Sequence, residues 1–171
     1  DVIMADPENR DGVPVLVPAK ARRNARAVRV NITLPADVLE RIDALGNNAG
    51  GIFDGPTMTA DGFERTWQVN VVAPFLLTSL LQDKLRESNA TVVNTASLAN
   101  MVMSNFDPAD PNTLEHFSPE RAYGNAKLAD ILLARFIDAH GINAVSFHPG
   151  VLATEFGKSS TGLTGKLYSG V

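Results

Sequence analysis

The stretch "SPERAYGNAKLADILLARFIDAHGINAVSFH" (118–148) contains the signals that decide the fold. Ser118 can cap a helix, Pro119 suits the first helical position, and Gly141 suits the position just after the last turn. The apolar run "NAVSFH" (143–148) then predicts a buried strand. A long helix that leads directly into a buried strand is the unit from which parallel sheets are built.

The same alternation of strands and helices recurs in the rest of the chain. A second long helix is predicted after Thr59, because large apolar side chains recur there every four residues, at Phe63, Trp67, Val71 and Phe75. Further buried strands are predicted at "VIMA" (2–5), "AVRVNI" (27–32), "DAL" (43–45) and "TVVNTA" (91–96). The alternation predicts an α/β fold with a doubly wound parallel sheet and helices on both of its faces. Ligands bind such sheets at the carboxyl ends of the strands.

The composition is that of an ordinary globular chain. Its 171 residues are 44% hydrophobic with a formal net charge of −4, which argues against a nucleic-acid partner. The longest apolar stretch (69–81) is too short and interrupted to span a membrane. The chain has no cysteine, which leaves the compartment open, while the lack of a signal-peptide pattern at the start favours the cytoplasm. We expect one domain over residues 1–171.

The motif "YGNAK" (123–127) places Tyr123 and Lys127 about one helical turn apart, so both side chains leave the same helix face. An ammonium group near a phenol lowers the phenol pKa and prepares it for proton transfer. Polar pairs at this spacing are also common on solvated helices. The spacing alone therefore leaves both interpretations open.

Small and polar residues follow the predicted strands. Ser97 follows "TVVNTA", the turn "GNNAGG" (46–51) follows "DAL", and "PGVLATE" (149–155) follows "NAVSFH". Each of these features is also typical of an ordinary turn or loop. In the second helix, Pro74 has no N–H group, so the carbonyl of Asn70 loses its helical hydrogen bond. Either the helix tolerates a simple proline kink at this point, or the freed carbonyl binds a water molecule.

Taken together, these motifs resemble the short-chain dehydrogenase/reductase family, and within it the retinol-dehydrogenase-like branch. The resemblance runs from about residue 43 to 157 through "DGFERTWQVNVVAPFLLTSLL", "VVNTASLA", "FSPERAYGNAKLADILLARF" and "HPGVLATEF". It implies a Rossmann-like fold and an NAD(P)-dependent oxidoreductase. Such an enzyme would transfer hydride between a nicotinamide cofactor and an apolar alcohol or carbonyl substrate.

The resemblance also implies a role for each motif. The catalytic tetrad would be Asn70, Ser97, Tyr123 and Lys127. Tyr123 would exchange the proton, Ser97 would bind the substrate oxygen, and Lys127 would lower the phenol pKa and bind the cofactor ribose. The turn 47–50 would support the sheet edge, and no metal is implied. Cofactor-binding residues would be Asp6, Asn31, Ile32, Asn48, Ala49, Gly50, Tyr123, Lys127, Pro149, Gly150, Val151 and Thr154.

Several departures from the family pattern bear on this interpretation. The sequence has no TGxxxGxG motif, whose backbone amides would hold the pyrophosphate. Asn31 replaces the usual aspartate near the adenine, and one helix is reduced to "PADVLERI" (35–42). We therefore expect a Rossmann-like domain that is incomplete at both ends, although "VIMA" could instead fill the central strand position. Asp6 at a strand end would bind a ribose diol and repel a 2′-phosphate, which favours NAD over NADP.

Two functions remain open from the sequence. The first is the NAD(P)-dependent enzyme, which by resemblance would form a homo-oligomer through its two long helices. The second is a non-catalytic family member that binds a ligand or partner without a dinucleotide. The segment 98–118 carries Met101, Met103 and Phe106, which would either line an apolar substrate pocket or pack within the loop.

Overall fold

The computed structural model describes residues 41–150, together with the backbone of 12–15 and 32–35. In chain order the elements are β1 (Gly12–Val15), β2 (Ile32–Pro35), β3 (Ala44–Asn47), α1 (Arg65–Trp67), a π-helical turn (Gln68–Val72), α2 (Ala73–Glu87), β4 (Thr91–Thr95), α3 (Ala99–Val102), α4 (Pro119–Ala139) and β5 (Asn143–Phe147). No helix in this described part is long and apolar enough to cross a membrane.

The strands β3, β4 and β5 form a parallel sheet in that order. The connections from β3 to β4 and from β4 to β5 contain the long helices α2 and α4, as the alternation predicts. The α/β fold class is therefore confirmed. Because the strands are parallel, the segments that follow β3, β4 and β5 all leave from the same edge of the sheet.

Both long helices pack on the same face of this sheet. Leu45, Val92 and Ala144 are neighbours in the register of the three strands and share that face. They contact a buried apolar cluster to which α2 contributes Leu81 and Leu85 and α4 contributes Leu133 and Ile137. Full burial of a side chain such as Leu85 or Val92 contributes roughly 1.5–3 kcal/mol. Helices on the opposite face remain a prediction.

Helix α4 begins and ends where the sequence predicts. The Ser118 hydroxyl accepts a hydrogen bond from the N–H of Arg121 at 3.1 Å, and Pro119 occupies the first helical position. Gly141 has a φ of +81°, a left-handed conformation that glycine adopts without strain just beyond a helix end. These signals are local, which explains why the boundaries could be predicted.

The helix after Thr59 begins later than predicted. The Thr59 hydroxyl is hydrogen-bonded to the backbone of Phe63, and the two residues close a turn in place of a helical segment. Helix α1 starts only at Arg65, because the Glu64 carboxylate accepts hydrogen bonds from the N–H groups of Thr66 and Trp67 and acts as the cap.

The strand predictions need corrections at two places, and one helix prediction needs a third. Strand β3 runs through Asn47, so its last two residues were wrongly assigned to a turn. Strand β2 shares only Ile32 with the prediction for 27–32, and it pairs antiparallel with β1, which the sequence did not indicate. Pro35 ends β2 and Arg41 and Ile42 are not helical, so the predicted helix "PADVLERI" was wrong at both ends. The remaining residues of these predictions, with "VIMA", lie outside the described residues.

Candidate active site

The four predicted catalytic residues lie near the carboxyl edge of the parallel sheet, and all four are buried. Asn70 belongs to the π-helical turn, and Ser97 follows β4 closely. Tyr123 and Lys127 belong to the first half of α4. Three separate segments of the chain thus contribute to this site.

Lys127 is fixed by two hydrogen bonds. Its ammonium nitrogen donates to the backbone carbonyl of Thr95 at 2.8 Å and to the carboxylate of Asp130 at 2.8 Å. The same nitrogen lies 5.6 Å from the centre of the Tyr123 ring. The phenol and the ammonium therefore share one side of α4, as their spacing predicts.

Asp130 is a site residue that the sequence interpretation missed. It is only 3% exposed and forms an ion pair with the equally buried Lys127, three residues earlier on α4. Burial raises the pKa of the Asp130 carboxyl to about 6, while the charge and hydrogen bond of Lys127 act in the opposite direction. The i,i+3 spacing of the two residues was visible in the sequence, but the burial of both was not.

Asn70 and Lys127 approach each other at Gly50. A Cβ atom added at Gly50 would lie 2.5 Å from Asn70 Oδ1 and 3.4 Å from Lys127 Nζ. Asn70 cannot move away easily, because its side chain makes hydrogen bonds with the backbone of Gly51 and of Thr66. Glycine at position 50 thus lets the turn after β3 lie directly against the two polar side chains.

Ser97 and Tyr123 have a common neighbour. The Ser97 hydroxyl accepts a hydrogen bond from the N–H of Ala99 at 3.2 Å. The side chain of Ala99 packs with Tyr123 and Ile52 in a small buried cluster. Ser97 and Tyr123 are therefore both next to Ala99. A short distance between their two hydroxyl groups remains a prediction.

Asparagine side chains connect the ends of β3 and β4. Asn47 donates to Asn94 Oδ1 at 2.9 Å and to the hydroxyl of Thr78 on α2 at 3.2 Å. Asn94 in turn donates to the backbone carbonyl of Asp130 at 3.0 Å. At the open edge, the Thr95 hydroxyl donates to Asn48 at 3.0 Å. These bonds join the strand ends to both long helices.

The predicted cofactor-binding residues are only partly described. Asn48, Ala49 and Gly50 are exposed after β3, and Pro149 and Gly150 are exposed after β5. Gly150 has a φ of +86°, a left-handed conformation that favours glycine. Ile32 is described as backbone in β2. The other predicted residues, Asp6, Asn31, Val151 and Thr154, lie outside the described residues.

The segment 98–118 is held against α4. A Cβ atom at Gly124 would lie 2.7 Å from the backbone of Met103 and Ser104, so the two chains approach as closely as glycine allows. Asn125 is fully buried and is hydrogen-bonded to the N–H of Asn105 and the hydroxyl of Thr113. These contacts hold the loop against Gly124 and Asn125, which lie between Tyr123 and Lys127 in the "YGNAK" motif.

The apolar residues of this loop have different environments. Phe106 stacks on Trp67 with ring centres 5.8 Å apart, and Met103 packs on the cluster that contains Tyr123. Of the two alternatives for the loop, the structure favours packing within the protein for Phe106 and Met103, rather than the lining of a substrate pocket. Met101 is 76% exposed, on the short helix α3.

The helix is distorted next to Pro74, as the missing N–H group leads one to expect. A π-helical turn covers Gln68–Val72, and the N–H of Ala73 donates to the carbonyl of Gln68, five residues earlier. Such turns often occur at functional sites. The water proposed to bind the Asn70 carbonyl remains a prediction.

Comparison with known proteins identifies related sequences and folds. Residues 16–109 match the family described as short chain dehydrogenase. Over 136 residues the chain is 39% identical to retinol dehydrogenase 13 of Homo sapiens, an alignment that covers 76% of this chain and 40% of the relative. The chain spans less than half the length of the curated relatives it matches.

Solved structures share the architecture. A crystal structure of a protein from Mycobacterium paratuberculosis matches with 32% identity and a TM-score of 0.56, over 70% of this chain and 46% of that one. An alcohol dehydrogenase from Thermococcus sibiricus, complexed with 5-hydroxy-NADP, matches with a TM-score of 0.52 over 74% of this chain and 51% of that one. At 20% identity, the second likeness concerns the fold alone.

Proposed function

The chain belongs to the short chain dehydrogenase family, and on this basis we propose that it is an NAD(P)-dependent oxidoreductase. It would transfer hydride between a nicotinamide cofactor and an alcohol or carbonyl substrate. The observation that supports this best is the burial of Tyr123 and Lys127 on one side of α4. Asn70 approaches Lys127 at Gly50, and Ser97 is hydrogen-bonded to Ala99, which packs on Tyr123. A solvated pair of polar side chains would instead be exposed.

The residues around Lys127 suit a nicotinamide nucleotide. In the described part of the chain, the ammonium group uses two of its N–H groups for Thr95 and Asp130, which leaves one for a ribose hydroxyl. The exposed turn after β3 has only small side chains at 49–51, so a ligand can approach its backbone closely. The cofactor would be held by Asn48, Ala49, Gly50, Lys127, Pro149 and Gly150, and outside the described residues by Asp6, Asn31, Val151 and Thr154.

In this proposal, Tyr123 transfers the proton that accompanies hydride transfer, and Ser97 and Lys127 assist it. A bound nicotinamide supplies hydride to a carbonyl carbon or accepts it from an alcohol carbon. In the reducing direction, Tyr123 donates its phenolic proton to the oxygen that gains negative charge, and Ser97 donates a hydrogen bond to the same oxygen. The positive charge of Lys127 stabilises the resulting phenolate until a proton from solvent replaces the one transferred.

We further propose that the substrate is apolar. Leu98, Met101 and Val102 lie within five residues after Ser97 and are more than half exposed. They lie on the segment that leads from Ser97 into α3, so an apolar substrate whose oxygen reaches Ser97 can contact them. We also propose a homo-oligomer, because Phe75 on α2 and Leu132 and Phe136 on α4 are about half exposed.

The proposed function is tested first by nucleotide binding. Fluorescence of NADH and of NADPH is measured with increasing concentrations of the full-length protein, and we expect at least one of the two to change. Absence of binding by the folded protein to both nucleotides would contradict the proposal. It would favour a family member that binds a ligand or partner without a dinucleotide.

Turnover is then measured with a panel of apolar primary and secondary alcohols. Tyr123→Phe retains the ring but removes the transferable proton, so we expect turnover to fall by about 10²- to 10⁴-fold. The matched control is Tyr168→Phe, the same change at the other tyrosine of the chain. Unchanged turnover in Tyr123→Phe would rule out Tyr123 as the general acid and base.

A further inference from the structure

We infer that Asp130 is a positioning residue, which holds the Lys127 ammonium and offsets its charge, so that the ionisation of Asp130 sets the pH range in which Tyr123 accepts a proton. This inference rests on the proposed function of Tyr123 as general acid and base. It adds to that function a control of the reaction by a carboxylate that itself does not touch substrate or cofactor.

The geometry leaves Asp130 little freedom. Its carboxylate is buried and lies 2.8 Å from the Lys127 ammonium, which also donates to the Thr95 carbonyl. The backbone carbonyl of Asp130 accepts a hydrogen bond from Asn94 on β4. Lys127 and Asp130 therefore form a rigid pair between helix and sheet, and Lys127 cannot turn its charge towards Tyr123 without breaking a contact.

The electrostatic consequence follows from the net charge of the pair. An ammonium group alone stabilises a nearby phenolate, whereas an ammonium beside a carboxylate carries no net charge and stabilises it less. The Lys127 ammonium lies 5.6 Å from the centre of the Tyr123 ring, and the Asp130 carboxylate contacts that ammonium. An ionised Asp130 therefore raises the pKa of the Tyr123 phenol relative to a neutral residue at this position.

The surroundings of the pair contain few other charges. On the β4 side, the Thr95 carbonyl and the Asn94 amide contact the pair. Gly50 in the turn after β3 and Asn70 in the π-helical turn lie next to Lys127. On α4 the facing titratable group is Tyr123 itself. In the described residues, the hydrogen bonds and ion pairs of Lys127 and Asp130 include no further titratable side chain. Since burial raises the pKa of Asp130 to about 6, its ionisation falls near physiological pH.

The test compares Asp130→Asn with Asp138→Asn in the full-length protein. The first variant keeps a side-chain oxygen for Lys127 but removes the charge. The second removes the same charge from an exposed position on the same helix, more than two turns away. We expect Asp130→Asn to shift the acidic limb of the pH profile for alcohol oxidation to lower pH, by about one pH unit. Asp138→Asn should leave this limb in place.

A second measurement does not depend on turnover. In a background in which Tyr168 and every other tyrosine of the full-length protein except Tyr123 is replaced by phenylalanine, the ultraviolet absorbance of phenolate reports the titration of Tyr123 alone. We expect a lower titration midpoint with Asp130→Asn than with Asp138→Asn. If the midpoint shifts but no alcohol is oxidised, the proposed function fails, whereas the influence of Asp130 on the Tyr123 pKa is supported. If alcohol is oxidised and neither the limb nor the midpoint shifts, Asp130 is only structural and the inference is wrong.

Discussion

The side chain of Asn70 forms hydrogen bonds with the backbone of Gly51 in both directions. Its amide nitrogen donates to the Gly51 carbonyl at 2.8 Å, and its oxygen accepts from the Gly51 N–H at 3.2 Å. The same nitrogen donates to the carbonyl of Thr66 at 2.8 Å. One buried amide thus holds the turn after β3 against the helix that contains the π-helical turn.

Replacement of Asn70 by alanine should therefore destabilise the protein. The change removes three buried or partly buried hydrogen bonds to the backbone, and we expect the free energy of unfolding to fall by about 2–4 kcal/mol. Urea denaturation measures this value. The control Gln82→Ala removes an exposed amide from α2 and should change it by less than about 0.5 kcal/mol. Equal stability of the two variants would show that the Asn70 bonds contribute little.

Gly50→Ala should also destabilise the protein and weaken nucleotide binding. The new Cβ atom would lie 2.5 Å from Asn70 Oδ1, so either the turn or the hydrogen-bonded Asn70 side chain must shift. We expect a loss of about 1–3 kcal/mol in unfolding free energy. Gly46→Ala is the matched control, because nothing lies within 4 Å of a Cβ atom there. A Gly50→Ala protein as stable as this control would contradict the close approach.

The sequence predicted the structure best where the signals are local. Ser118, Pro119 and Gly141 determine the ends of α4 through their own backbone preferences, and these boundaries were correct. Asn47 shows the opposite case. Asparagine after glycine is typical of a turn, yet Asn47 extends β3 because its side chain binds Asn94, which is distant in the sequence. Only the folded structure brings these two residues together.

The candidate site shows the same division. The i,i+4 spacing predicted that Tyr123 and Lys127 share a helix side, because helix geometry alone determines this. The role of Asp130 could not be predicted, although its spacing from Lys127 was visible. Whether such a pair is solvated or buried depends on β4, which covers it. Burial is the main cause of the raised pKa of the Asp130 carboxyl. The extent of the domain over 1–171 stays a prediction.

Gly124→Ala should displace the segment 98–118 from α4. Its Cβ atom would lie 2.7 Å from backbone atoms of Met103 and Ser104, which cannot rotate away as a side chain could. Phe106 follows closely and stacks on Trp67, the only tryptophan of the chain. We therefore expect a changed Trp67 fluorescence spectrum and a loss of about 1–3 kcal/mol in unfolding free energy. Gly46→Ala should change neither, and an unaltered spectrum in Gly124→Ala would contradict the predicted displacement.

The last prediction concerns the dependence of stability on pH. The pKa of Asp130 is raised from 3.8 to about 6 in the folded protein, mainly because burial disfavours the carboxylate. Between these two pH values the folded state binds more protons at this residue than the unfolded state does. The contribution of Asp130 to stability therefore falls as the pH rises from about 4 to about 6, on the order of 2 kcal/mol in total.

Urea denaturation of the parent and of Asp130→Asn between pH 4 and pH 7 measures this contribution. Other titratable groups occur in both proteins and cancel in the difference, whereas the asparagine cannot ionise. We expect Asp130→Asn to gain stability relative to the parent as the pH rises through this range, because only the parent must then bury a carboxylate. If the parent instead gains stability relative to the variant as the pH rises, the prediction is wrong. The attraction of Lys127 would then exceed the cost of burial, and the folded-state pKa of Asp130 would lie below its ordinary value.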